Sequence, residues 1–351
     1  MAFHCIDPPD EGSRTTREVR IGAAMRTLLA VPARAALAFI VGCLAYAAAH
    51  AQPAAVQVML QPQQVAARTW FFQGEAGMAS AANKGFMSNA GFVVTDEGVV
   101  VFDALGTPAL GEAMVAAIRR VTTAPIVRVV VSHYHADHVY GLQALKRAGA
   151  KIWAHRLADE YFTSGVAEQR LEQRRRDLHP WVDEHTRIER PDVRLEGSTD
   201  FKLGGITFRI VYPGGAHAPD DLLMHVVEER VLFAGDLVFA GRVPFVGTAD
   251  SRGWLRALDT IIPMKPLVVV PGHGPASRDV ERDLALTRDY LAYLREAMGK
   301  AVAALDTFDD AYARTDWSRF ASLPAFDAAN RINAYGTYLL MEQEALKGGK
   351  P

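Results

Sequence analysis

Residues 126–141 read IVRVVVSHYHADHVYG: an apolar run, then three histidines and one aspartate within positions 133–138. A short run of β-branched residues ending in polar ones marks a buried strand. Four side chains of metal-binding type therefore stand where a strand stops. In an extended segment, positions i, i+2 and i+4 point the same way. That sends His133, His135 and Asp137 into one cavity and turns His138 towards a neighbouring position. A solvated polar loop is the plain alternative, but three of the chain's 11 histidines in so few positions argue against it.

The same local plan recurs downstream. Ile206–Pro213 is strand-like and leads into Gly214-Gly215-Ala216-His217, and Leu267–Pro271 leads into Gly272-His273-Gly274. A third apolar run, Val231–Ala234, ends in Gly235-Asp236 and offers a carboxylate in the same relative place. Any one of these alone reads as a turn cap. Together they aim at one edge of a sheet, where open α/β folds bind ligands. Imidazole and carboxylate suit zinc and other borderline metals.

The rest of the chain supports layered α/β architecture. GFVVTDEGVVVFDALG (91–106) reads as two strands joined at Asp96-Glu97-Gly98, and PALGEAMVAAIRRV (108–121) carries apolar residues at helical spacing. A helix is expected from about Val139 to Ala148, followed by the strand AKIWAH. Residues 156–187 are charged and helical, an irregular flap in prospect, and their basic stretch RLEQRRR (170–176) reads as a solvated helix face. FKLGGITFRIVYP, LLMHVVEERVLFAG and PLVVVPG are further strands, SRGWLRALDTI is a helix, and the pattern is mostly helical from Asp279 onward. Strands alternating with helices in two halves argue for α/β layers.

Composition narrows the function classes. The 351 residues are 50% hydrophobic and carry a formal net charge of −2, which gives no electrostatic case for a nucleic-acid or anionic-membrane partner. From Met25 the sequence has Arg26 and Arg34, the apolar stretch Ala35–Ala49, and Ala49-His50-Ala51. This is the pattern of a signal peptide cleaved after Ala51, which predicts a periplasmic or secreted protein without a stable membrane span. Cys43 also fits a lipoprotein cleavage site, and Met25 competes with Met1 as the start. Residues 1–51 are then extension and signal, 52–69 a polar linker, and 70–351 one hydrolase-sized domain with C-terminal helices. The two cysteines, Cys5 and Cys43, fall before the cleavage point, so a chain beginning at Gln52 has no thiolate, and any metal must be held by histidine and carboxylate.

The order HYHADH, GGAH, FAGD, PGHG resembles the metallo-beta-lactamase superfamily over roughly Trp70 to Ser277. The resemblance implies an α/β fold, the four-layered αββα sandwich, with metal ions at the edge of its two sheets. It implies that His133, His135 and His217 bind a first metal, that Asp137, His138 and His273 bind a second, and that Asp236 bridges both. It further implies that Asp103, in VVVFDAL, supports the site without binding metal. The flanking text, SNAGFVVTDEGVVVFDA and VVVPGHGP, is similar to the exported zinc metallohydrolases called quinoprotein relay system or sulfur-oxidation-associated. A periplasmic quinoprotein system is the partner this suggests.

Two zinc ions about 3.5–4 Å apart can share a hydroxide and attack a carbonyl-type small molecule: a thioester, lactone, ester or lactam. Asp137 is the expected catalytic residue, orienting the nucleophile or carrying a proton to the leaving atom. The best-known beta-lactamases of the superfamily have cysteine where Asp236 stands, so beta-lactam hydrolysis is only faintly indicated. Two other readings stay open: a sulfur dioxygenase-like enzyme with one iron, and a non-catalytic metal- or cofactor-binding accessory of a quinoprotein. Of the remaining histidines, His179 and His185 lie on the flap as possible substrate contacts. His225 reads as a satisfied structural residue, and His155 matches no motif position.

Overall fold

In a computed structural model the described residues are 58–348. The signal-peptide segment and Cys43 lie outside them. The hairpin expected at 91–106 forms β3 (Ala90–Thr95) and β4 (Gly98–Phe102), paired antiparallel. β2 (Thr69–Phe72) and β1 (Gln63–Ala66) continue the sheet antiparallel on one side. On the other side β5 (Ile126–Val130), β6 (Lys151–His155) and β7 (Val193–Leu195) are added parallel. A parallel neighbour needs a crossover, and helix α1 (Pro108–Val121) supplies it between β4 and β5. Its start is set locally: Thr107 Oγ1 accepts from the Leu110 amide, and Pro108 occupies the first turn. Leu110, Met114, Ala117 and Ile118 then form the buried stripe.

A second sheet has the order β12-β11-β10-β9-β8. Its strands are β8 (Thr199–Leu203), β9 (Ile206–Val211), β10 (Leu223–Val226), β11 (Val231–Phe239) and β12 (Val268–His273). Pairing is antiparallel until β12 joins β11 in parallel across helix α6 (Ser251–Leu258). Three apolar clusters make the layers. Phe71, Phe102, Phe208, Met224 and Phe233 meet between the sheets, with the Phe102 and Phe233 rings stacked at 5.4 Å. One outer core joins the first sheet to α1. The other joins the second sheet to α6, α7 (Val280–Ala304), α8 (Phe308–Arg314) and α9 (Phe326–Leu346). Helix, sheet, sheet, helix is the αββα sandwich. Among the described residues no helix is long and apolar enough to cross a membrane.

Three local features differ from expectation. β1 lies inside the stretch 52–69 read as a linker, and Leu60 is already buried. The expected helix over 139–148 is two short ones, α2 (Ala136–Val139) and α3 (Leu142–Arg147), broken at Gly141. The motif is therefore extended only through His135. Asp236 is not at a strand end: β11 runs on to Phe239, with register irregularities on either side of Gly235. The flap, by contrast, is helical as expected, built on α4 (Ala158–Thr163) and α5 (Val166–Asp177).

Candidate metal centre

Four separated pieces of chain deliver the expected donors to one place. Residues 133–138 follow β5, His217 lies past β9, Asp236 sits within β11, and His273 ends β12. The ligand-type atoms form two groups: His133, His135, His217 and Asp236, and Asp137, His138 and His273. The helical turn at 136–139 explains the second group, because it brings Asp137 and His138 to the same side. In an extended chain His138 would have pointed elsewhere.

Asp236 faces both groups. Its Oδ2 lies 3.3 Å from His217 Nε2 and 3.9 Å from His133 Nε2. Its Oδ1 lies 3.2 Å from His138 Nε2 and 3.3 Å from His273 Nε2. Asp137 Oδ2 completes the second group, 3.3 Å from His273 Nε2 and 3.5 Å from His138 Nε2. His217 Nε2 and His135 Nδ1 are 2.9 Å apart, so their lone pairs converge.

The donor set fits metal ions. His133 Nε2, His138 Nε2, Asp137 Oδ2 and Asp236 Oδ1 are buried without hydrogen-bond partners. Buried polar atoms left unpaired each cost on the order of 1–3 kcal/mol. A metal cation satisfies imidazole and carboxylate lone pairs together, and nitrogen and oxygen donors without sulfur match zinc and other borderline metals.

Without a cation the site divides its protons unevenly. Burial, reinforced by the neighbouring rings, holds His133 well below the ordinary histidine range. Burial also lowers His135, and it drops His217 to about 3 against the pull of Asp236. Burial acts the same way on His138 and His273, but Asp236 and Asp137 outweigh it and raise both. The two carboxyls face the reverse contest: burial favours their neutral forms, yet the flanking histidines hold both far below the usual carboxylate range. His133, His135 and His217 are thus ready as neutral ligands, as coordination requires.

A supporting layer orients the donors. Asp103 Oδ2 lies 2.9 Å from His138 Nδ1 and accepts from Ser132 Oγ at 2.8 Å, and Ser132 Oγ lies 2.9 Å from His133 Nδ1. Asp103 is buried at φ +60, a conformation uncommon outside glycine, and the Ser132 amide donates to its Oδ1. Asp103 thus lies next to the donors and belongs to neither group of ligand-type atoms. We predict that Asp103→Asn weakens metal affinity about 10- to 100-fold, the usual scale for such partners. Competition against a chelator measures this, and unchanged affinity would refute the role.

Other contributors were not picked out in the sequence. His273 Nδ1 donates to Met87 O at 2.8 Å, and its ring stacks on Phe239. Trp254 packs edge-on against His217, with centroids 5.0 Å apart. Asn89 donates to Pro271 O and Gly274 O, bracing the turn that carries His273. Arg242 is buried beside His273, and its Nη1 donates to Gly77 O. Trp181 Nε1 donates to Ala81 O, tying the flap to the same loop. Each is one residue in unexceptional surroundings, so only Ser132, adjacent to the motif, carried a readable signal.

The remaining histidines stand apart from both groups. His185 is exposed, 3.6 Å from Glu184, and His179 is exposed before a cis peptide to Pro180. His155 stacks on Tyr212 at 3.9 Å. His225 is not satisfied as expected: both ring nitrogens are buried without partners, and burial lowers its pKa and keeps it neutral.

Two packed sheets with a two-pole histidine–aspartate centre at their edge define a metalloprotein of the αββα class. The profile of the metallo-beta-lactamase superfamily matches residues 83–273, and the chain belongs to that superfamily. A linear primary-alkylsulfatase from Pseudomonas sp. is 24% identical over 235 residues, covering 57% of this chain and 44% of the relative. A type 2 metallo-beta-lactamase from Elizabethkingia meningoseptica is 24% identical over 193 residues, covering 54% of this chain and 69% of the relative. Among solved structures, the stereoselective inverting sec-alkylsulfatase Pisa1 from Pseudomonas sp. aligns with TM-score 0.63 and 20% identity, over 80% of this chain and 50% of that one. A metallo-beta-lactamase from Pontibacter korlensis aligns with TM-score 0.54 and 22% identity, over 67% of this chain and 99% of that one. The chain thus spans less than half the length of the curated alkylsulfatase and half that of Pisa1.

Proposed function

We propose that this is an exported hydrolase dependent on two zinc ions, acting on a small carbonyl-type substrate: a thioester, lactone, ester or lactam. The observation that carries the reading is Asp236, whose two oxygens each face a separate set of imidazoles. His133, His135 and His217 would hold one ion, Asp137, His138 and His273 the other, and Asp236 would touch both. Two zinc ions held there supply Lewis acidity and bring the pKa of a water to around 7.

The protein's own part is positioning. Asp137 reaches the mouth of the site, its side chain 12% exposed. The adjacent histidines keep it ionised, so its carboxylate can accept a hydrogen bond from an attacking water and orient it. Asp103 and Ser132 hold the imidazoles in place. The residues at 25–51 support export, with a periplasmic quinoprotein system as the suggested setting.

The test combines metal analysis with a chromogenic panel of thioester, lactone, ester and cephalosporin. The alkylsulfatase relatives add an alkyl sulfate as a second substrate class. About two zinc per chain with turnover of a carbonyl substrate is expected. One iron with oxygen uptake, or zinc-loaded protein that turns over nothing, would overturn the reading.

A further inference from the structure

The imidazoles of the metal centre are held in two different ways. Three have a ring nitrogen tied to the protein: His133 Nδ1 to Ser132 Oγ, His138 Nδ1 to Asp103 Oδ2 and His273 Nδ1 to Met87 O. A hydrogen bond at the nitrogen turned away from the metal is the usual means of fixing a ligating ring. His135 and His217 lack one among the described residues. His217 Nε2 faces the site, 2.9 Å from His135 Nδ1 and 3.3 Å from Asp236 Oδ2, while its Nδ1 is buried without a partner. In His135 it is Nδ1 that turns inward, and the ring's one hydrogen-bonding contact is this approach to His217.

Rings without such anchors must be aimed by their backbone, and one turn of the chain does this for both. Between β9 and β10 lie Asp220 and Asp221, 6% and 2% exposed. Neither forms an ion pair among the described residues. Aspartate is seldom buried so fully without a charged partner, and these two spend their oxygens on backbone. Asp220 Oδ2 accepts at 3.0 Å from the amide of Tyr134, the residue between His133 and His135. Asp221 Oδ2 accepts at 2.8 Å from the amide of Ala218, immediately after His217. The amide of Leu222 then donates to Ser132 O at 2.7 Å, immediately before His133. Three consecutive residues thus tie together the two pieces of chain that carry His133, His135 and His217.

We propose that Asp220 and Asp221 are positioning residues of the first ligand group: they aim His135 and His217 through the backbone, as Ser132, Asp103 and Met87 O aim the other three rings directly. The second group, anchored by Asp103 and Met87 O, does not depend on them. This rests on the two-group reading of the metal ligands.

Zinc affinity tests the role without turnover. A full-length chain carrying His273→Ala keeps the first group whole and breaks the second, and one carrying His217→Ala does the reverse. Competition against a chelator then reads each group by itself. Asp220→Ala with Asp221→Ala should weaken zinc binding in the His273→Ala chain at least about tenfold, the lower end of the scale for groups that orient a ligand. The same pair should leave zinc affinity in the His217→Ala chain unchanged, whereas a general loss of stability would weaken both. Asparagine keeps a side-chain acceptor for the same amide, so Asp220→Asn with Asp221→Asn should restore most of the lost affinity. If the double alanine variant does not fold, each single alanine variant tests its own amide, Tyr134 or Ala218. No weakening in the His273→Ala chain, equal weakening in both chains, or asparagine variants as weak as alanine overturns the positioning role. A His273→Ala chain that binds no zinc with both aspartates intact overturns the two-group reading beneath it.

Discussion

Asp236→Ala is expected to lower bound zinc from about two per chain to about one and to collapse turnover. Among the described residues the carboxylate is the single group whose oxygens face both sets of imidazoles, at 3.3 Å from His217 and 3.2 Å from His138. Alanine removes a ligand from each pole and a negative charge from between them. The remaining histidine trio can still hold one ion, but His138 and His273 keep only Asp137. If the paired ions supply several kcal/mol of transition-state stabilisation, activity should fall at least about a thousandfold. Metal counting by mass spectrometry beside a turnover assay decides the matter: two zinc ions with full activity would remove the basis of the assignment.

Gly272→Ala is expected to act almost as strongly, though it adds only a methyl group and replaces no proposed ligand. A Cβ built on Gly272 would lie 2.0 Å from Asp236 Oδ1 and 2.7 Å from the backbone carbon of Gly235. Such contacts are far inside van der Waals distance, so either the carboxylate rotates away or β11 and β12 part. The first route loses the bridge, and the second breaks the parallel pairing that runs from Val231 to His273. Activity should drop at least about a hundredfold, which corresponds to nearly 3 kcal/mol, and the melting temperature should fall by several degrees. A variant with normal zinc content and normal turnover would show that the strands relax freely here.

The metal centre was legible because its chemistry is dense. HYHADH packs ligand types that seldom adjoin, and each remaining donor follows an apolar run of recognisable strand character. The hairpin at 91–106 and helix α1 were legible for the same kind of reason, since turn residues and apolar spacing act over short range. Failures arose where a long-range contact decides. The run beginning at Val231 continues to Phe239 because β12 pairs along it, which the isolated Gly235-Asp236 step does not reveal. β1 forms because β2 offers it an edge, and QQVA alone has little strand character. Asn89 and Arg242 act across more than 160 positions of sequence, on Pro271 and Gly77 respectively, so nothing local marks them. RLEQRRR reads as one charged surface, yet its arginines face two different environments.

The loop from Gly74 to Asn89 has a consequence for how such an enzyme changes over evolutionary time. Met87 O fixes the His273 ring, Arg242 grips Gly77, and Trp181 from the flap grips Ala81. A mutation that reshapes this rim to admit a new compound also disturbs a metal ligand's clamp. Adaptation here should be slow and accompanied by loss of metal. The exposed face of α5, at Glu168, Gln169, Glu172 and Gln173, donates no atom to either ligand group, so variation there is free of that penalty. Directed evolution for altered substrate range should accordingly accumulate its early changes on that face and leave the 74–89 loop nearly untouched.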